Sequence, residues 1–231
     1  MNKVGWIIFS VIVVVVLGGL VAWARITNPP IDVSNVESNS VVAASVHNGN
    51  IADHTTGSEA NKILLVEYGD YQCPSCAGAH PNIKTILDEY GDDVTFVFRN
   101  FPLTSLHPNA RAAAAAAEAA GLQDKFWEMH DMLYEKQTDW SGLDGSERTI
   151  IFNSYATSLG LDLDKFETDF AGEDVNKKIS FDLALGKKVG TTATPTFFLN
   201  GDKIDEQTSS GIVQGDLTEI RKKLDALVDK S

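Results

Sequence analysis

The sequence predicts an α/β fold: one sheet built from a strand-helix-strand unit and a hairpin-helix unit, with a helical subdomain inserted between them. Three observations carry this. An apolar run at residues 63–66 gives way to a helical pattern from Pro74, and the β-rich run Val-Thr-Phe-Val-Phe-Arg follows at 94–99. About 90 residues of mostly helical periodicity come next. β-structure then returns at 195–199, where Asn200-Gly201 reads as a hairpin turn before a closing amphipathic helix at 217–228.

In order, residues 4–24 are an uncharged run of Val, Ile, Leu and Gly between Lys3 and Arg25. At a rise of about 1.5 Å per residue that run crosses a bilayer core. A cleaved signal peptide is the rival, because Ala22-Trp23-Ala24 resembles a cleavage site, but the run is longer than a usual signal core. An uncleaved anchor over residues 1–25 is the favoured expectation. Residues 26–60, rich in Ser, Asn, Val and Gly after Pro29-Pro30, are expected to form a flexible tether, with a short edge strand at 41–46 as an option.

The outer domain, 61–231, suits one folding unit by length. Beyond residue 25 the chain carries 17 Lys and Arg against 32 Asp and Glu. That balance argues against nucleic acid and against a polybasic membrane patch. A strand is expected at 62–68, a helix at 74–90 kinked by Pro81, and a strand at 94–99. Helices are expected at 108–120, where Ala112 to Ala117 is strongly helix-forming, and at 125–135, 146–159, 164–170 and 175–189. The helical insertion thus spans about 104–190. A short strand around Lys203-Ile204 completes the hairpin, and no internal repeat is present.

Both cysteines of the chain lie in Cys73-Pro74-Ser75-Cys76, on the expected strand-to-helix turn. With Cys73 as N-cap, Pro74 falls at the first helical position, where its missing N–H costs nothing. A Cys73 thiolate there faces unpaired backbone N–H groups and the positive end of the helix dipole, so its pKa should fall below about 8.5. Half of a zinc site and a structural disulfide are the competing readings. Zinc wants four ligands, whereas only His80 lies nearby and no metal is expected; so short a disulfide loop constrains the unfolded chain little. Reversible thiol-disulfide exchange is the favoured chemistry.

The pattern resembles the thioredoxin fold. More narrowly, the helical insertion, Cys73-Pro74-Ser75-Cys76, Arg99-Asn100-Phe101-Pro102-Leu103 and Thr192-Ala193-Thr194-Pro195-Thr196-Phe197 resemble the DsbA-like family, especially membrane-anchored Gram-positive-type members. The resemblance covers about residues 62–228. It implies an exposed nucleophile at Cys73, a buried partner at Cys76, substrate contacts at Pro74, Ser75, Thr194 and Pro195, and a cis peptide bond before Pro195. It also places a buried catalytic acid at Glu67, whose pKa desolvation would raise so that it exchanges a proton with Cys76 as that thiol changes state, and with which Arg99 is a candidate partner.

The implied activity is an extracytoplasmic disulfide oxidase for exported proteins. It needs no bound cofactor beyond the Cys73–Cys76 disulfide, and a membrane quinone-linked protein of the DsbB or vitamin K epoxide reductase type would reoxidise it. A reductase or isomerase of the same fold, or a peptide-binding holdase, stands as the alternative. Pro74-Ser75 lacks the histidine of the most oxidising relatives, which leaves the direction open. His80 is expected on a helix surface, His107 at a helix start, His130 in a core with Trp127, Met129 and Met132, and His47 and His54 in the tether.

Overall fold

The computed structural model describes residues 3–27, 31–57 and 63–229. The chain divides into two units, Met1–Asp32 and Val33–Ser231. The first contains helix α1, Lys3–Thr27. The longest uninterrupted stretch of α1 whose side chains are described is residues 9–20, and among the described residues no helix is long and apolar enough to cross a membrane. The expected span 4–24 extends beyond that stretch.

The second unit holds a five-stranded sheet of β1 (His54–Thr56), β2 (Ile63–Gly69), β3 (Val94–Asn100), β4 (Thr196–Leu199) and β5 (Asp202–Lys203), in the spatial order β1-β3-β2-β4-β5. β2 and β3 are parallel and the other pairs antiparallel. Every residue of β2 and β3 is buried, so both faces of the central sheet are covered. Alternation along each strand sorts side chains between those faces. Ile63, Leu65, Phe96 and Phe98 join one core with helix α2 (Pro74–Tyr90), whereas Leu64, Val66, Tyr68 and Val97 join a second core on the opposite face.

The βαβ unit and hairpin fall where the sequence places them, and α2 runs unbroken through Pro81. Asn200 and Gly201 both adopt positive φ, 51° and 89°, as a tight two-residue hairpin turn requires. Between the βαβ unit and the hairpin lie α3 (Ala110–Gly121), α4 (Phe126–Glu135), α5 (Gln137–Trp140), α6 (Gly145–Ser158), α7 (Leu163–Phe170) and α8 (Glu173–Lys188). The alanine run buries Ala113 to Ala117 and lets α3 pack closely against α4, α7 and α8. Asp144 caps α6 by accepting from the N–H groups of Ser146 and Glu147, and Asp162 caps α7 through Lys165. The chain closes with α9 (Glu206–Gln214), absent from the sequence expectation, and α10 (Thr218–Val228). α9 has few large apolar residues, and of these only Ile212 is buried, which explains its weak periodic signal.

The expected tether needs correction over residues 33–57. Ile51 and Asp53 are buried, Asn48 caps the turn at 46–48, and the edge strand forms at His54–Thr56 rather than at 41–46. The cause is a buried ion-pair network. Arg99 donates Nε and Nη2 to Asp53 Oδ2 (3.1 and 2.6 Å), Nη1 to the Ser38 carbonyl and Nη2 to that of Ser40. Lys178 donates to Asp53 Oδ1 at 3.0 Å and to Asp182 Oδ1 at 2.7 Å. Burial opposes the Asp53 charge, but Lys178 and Arg99 together hold its pKa at about 2. A polar composition hides this anchoring, because charges rather than apolar surface do it. Residues 28–30 and 58–60 of the expected tether lie outside the described residues.

Candidate active site

The active-site turn follows from the junction of β2 with α2. Cys73 is the N-cap in an extended conformation, φ −73° and ψ 122°, and Pro74 occupies the first turn. Cys73 is 7% exposed and Cys76 fully buried, and both thiols are free. Pro74 and Ser75 are exposed beside them. A hydrogen bond from the Cys76 thiol is the largest influence holding the Cys73 pKa at about 5. Burial opposes it, while the backbone N–H groups of Cys76 and Ser75 add to it. Those N–H groups are the unpaired donors of the helix start. Burial pushes the Cys76 thiol well above its ordinary value, and its bond to Cys73 and the nearby Glu67 carboxyl push it further. The two sulfurs are thus driven apart: one holds a thiolate at neutral pH and the other a thiol.

Across the turn, the Thr194–Pro195 peptide bond is cis. Cys73 Sγ lies 3.4 Å from the Thr194 carbonyl oxygen, and the Thr194 hydroxyl oxygen is buried without a hydrogen-bond partner. Thr196 donates its hydroxyl to the Ala193 carbonyl at 2.7 Å, which ties the loop back on itself.

Glu67 is 3% exposed and its Oε1 makes no hydrogen bond. Burial first, and the nearby Cys73 second, raise its pKa to about 8, so it is protonated at neutral pH. The expected pairing with Arg99 does not occur. In the parallel register Glu67 lies opposite Phe98 while Arg99 lies opposite Tyr68, so the two side chains leave opposite faces of the sheet. Glu67 faces the α2 side; Arg99 serves the Asp53 network.

Several residues that fix the turn are not among the candidates the sequence points to. Gln137 of α5 donates Nε2 to the carbonyls of Tyr71 (2.8 Å) and Cys73 (3.1 Å). Asp70 accepts from Gln72 N, Leu103 N and His107 Nδ1. Gln72 Oε1 accepts from Asn109 N, and Gln72 Nε2 donates to the Ser141 carbonyl. Asp70 and Gln72 sit beside the cysteines, which is a usable clue; Gln137 is 64 residues away and only the fold brings it in.

The histidines divide differently from expectation. His80 is buried, 6% exposed, against Tyr134 and His130 rather than on a helix surface. His54 bonds Glu118 at 2.8 Å as part of β1, and His107 precedes α3. His130 is buried as expected, and its Nδ1 meets the Tyr71 hydroxyl at 2.9 Å. Burial keeps both His80 and His130 below the ordinary imidazole pKa.

A family model described as Thioredoxin matches residues 49–215. The structure is similar to BdbD of Bacillus subtilis in its oxidised form, with a TM-score of 0.65 and 26% identity over 81% of this chain and 97% of that one. It is similar to a thioredoxin-like oxidoreductase of Silicibacter pomeroyi DSS-3, with a TM-score of 0.57 and 26% identity over 74% and 92% of the two chains. It shares its fold with α-DsbA1 of Wolbachia pipientis at a TM-score of 0.63 and 24% identity, covering 77% of this chain and 92% of that one. Among curated relatives, the Na(+)/H(+) antiporter NhaA 1 of Salinispora arenicola is 40% identical over 149 residues, which is 64% of this chain. The chain spans only 22% of that relative's length.

Proposed function

Because the chain belongs to the thioredoxin family, by the match over residues 49–215, we propose that it is a disulfide oxidase of exported proteins working through Cys73 and Cys76. Its neighbours in structure are DsbA- and BdbD-type thiol-disulfide oxidoreductases. The observation that carries the direction is the opposed pair of thiols: Cys73 held at about 5 and Cys76 pushed far up. A nucleophile with a stabilised thiolate makes the reduced state favourable and the disulfide oxidising.

In the forward reaction a substrate thiolate attacks Cys73 Sγ of the enzyme disulfide. The Cys73–Cys76 bond breaks, its electron pair leaves on Cys76, and that sulfur takes a proton. Glu67, neutral at pH 7, is the proposed source of that proton. A second substrate thiolate then attacks the substrate sulfur of the mixed disulfide. Substrate leaves with a new disulfide, and Cys73 departs as a thiolate. Pro74 and Ser75, exposed beside the sulfur, and Thr194 with Pro195 opposite it are the proposed substrate contacts.

The redox group is the Cys73–Cys76 disulfide itself, and reoxidation by a quinone-linked membrane partner of the DsbB or vitamin K epoxide reductase type completes the proposal. The uncharged run at residues 4–24 supports a single-pass placement with the catalytic domain on the extracytoplasmic side. The test is disulfide transfer from the oxidised full chain to a reduced two-cysteine peptide, set against reduction of insulin. Stoichiometric peptide oxidation that disappears in Cys73→Ser supports an oxidase, whereas faster insulin reduction than peptide oxidation contradicts it.

A further inference from the structure

One turn of α2 beyond Cys76, α2 and α4 bring together three potential metal ligands that the redox chemistry does not use. His80 projects from α2, and His130 and Asp131 are adjacent on α4. One ligand atom from each lies within 4.8 Å of the others. We propose that His80, His130 and Asp131 form a binding site for one divalent transition-metal ion of the zinc class.

Four features carry the assignment. First, His80 Nε2 is buried and makes no hydrogen bond, although His80 is only 6% exposed. A buried polar atom left so is costly unless something satisfies it. Second, that nitrogen lies 3.5 Å from Asp131 Oδ1. Ligands held at about 2.0–2.2 Å in a tetrahedral zinc site stand roughly 3.3 Å apart, so this edge is already near the required length. Third, His130 is oriented from behind: its Nδ1 meets the Tyr71 hydroxyl at 2.9 Å, the kind of outer hydrogen bond that fixes a metal-ligating imidazole. Fourth, His80 borders a cavity of about 510 Å³, lined also by Lys84, Asp88 and Glu135, so open space lies beside the cluster.

The donor set selects the ion. Two imidazole nitrogens and one carboxylate oxygen suit zinc and its transition-metal neighbours, while magnesium and calcium want oxygen ligands. Lys84 donates to Asp131 Oδ2 at 2.7 Å and so occupies the other carboxylate oxygen. Its side chain is 46% exposed and also reaches Glu135 at 3.4 Å, so it can yield without leaving a buried charge. With Asp88, Asp131 and Glu135 against Lys84, the local charge favours a dication. An ion there would pin the active-site helix to α4.

The experiment uses the tag-free full chain in detergent, with Cys73 and Cys76 joined as the disulfide so that neither thiolate takes the metal. Zinc chloride is titrated calorimetrically, and cobalt(II) absorption reports the ligand geometry. One equivalent of zinc should bind, and both His80→Ala and Asp131→Asn should weaken it at least tenfold. Absence of a saturable one-to-one site overturns the proposal, as does a folded variant of either kind that binds as the parent does. Should His80→Ala fail to fold by circular dichroism, Asp131→Asn decides alone, because Asp131 is partly exposed and the change preserves its shape.

Discussion

Gln137 of the helical layer donates its side-chain amide to the carbonyl oxygen of Cys73 at 3.1 Å, and to that of Tyr71 at 2.8 Å. The inserted helices therefore hold the backbone of the active-site turn itself. Gln137→Leu removes both bonds while keeping similar bulk. It should cost about 1–3 kcal/mol of stability, the cost of leaving partly buried polar groups unmatched, and should slow disulfide transfer several-fold. Urea unfolding and peptide-oxidation rates of the variant check this; an unchanged rate would show that the turn keeps its shape without the helical layer.

The Cys73 thiolate makes the reduced protein pH-sensitive. Its folded pKa, about 5, is depressed from an ordinary value of about 8.5. The stability this contributes is complete above about 8.5 and is lost as pH falls through about 5. Alkylation of Cys73 should titrate with a midpoint near about 5, and Cys76→Ala should move that midpoint upward, since the Cys76 thiol is the largest influence holding it down.

Glu67 acts in the opposite sense. Burial raises its pKa from 4.5 to about 8, so its neutral form is tolerated up to an unfolded value near 4.5 and a penalty grows as pH rises from there through about 8. Glu67→Leu should stabilise the reduced protein by a few kcal/mol at pH 8 and little at pH 4. Because the same change removes the proposed proton source for Cys76, disulfide transfer at pH 7 should slow. Faster or unaltered transfer in that variant removes Glu67 from the mechanism.

The ion-pair network on the other face of the sheet holds the segment before β1. Arg99→Ala leaves Asp53 with Lys178 as its remaining charged partner and releases the carbonyls of Ser38 and Ser40. Removing one member of a buried pair costs about 3–5 kcal/mol. Limited proteolysis should then cut within residues 33–53 before the rest of the domain unfolds. Cleavage at parental rates would show that the apolar contacts of Ile51 suffice.

How much of this was legible follows from which signals are local. Cys73, Pro74 and Cys76 declare a helix start and a redox pair within four residues, and Asn200-Gly201 declares its hairpin. Glu67 was visible as one acid in an apolar strand. Its expected partner, Arg99, ends the neighbouring strand, but strand parity turns Arg99 to the far face. The packed segment before β1 reads as a tether because its anchor, Asp53, meets Arg99 and Lys178 only through distant elements. Gln137 and the burial of His80 depend on how α4 and α5 dock, which no spacing along the chain encodes.

The most direct test of the central claim is the equilibrium reduction potential of the Cys73–Cys76 pair in a glutathione buffer. A stabilised Cys73 thiolate beside a buried Cys76 thiol predicts a value toward about −120 mV, the oxidising end of the family's range. A value near about −270 mV, where thioredoxin lies, would contradict the account and make the same residues a reductase.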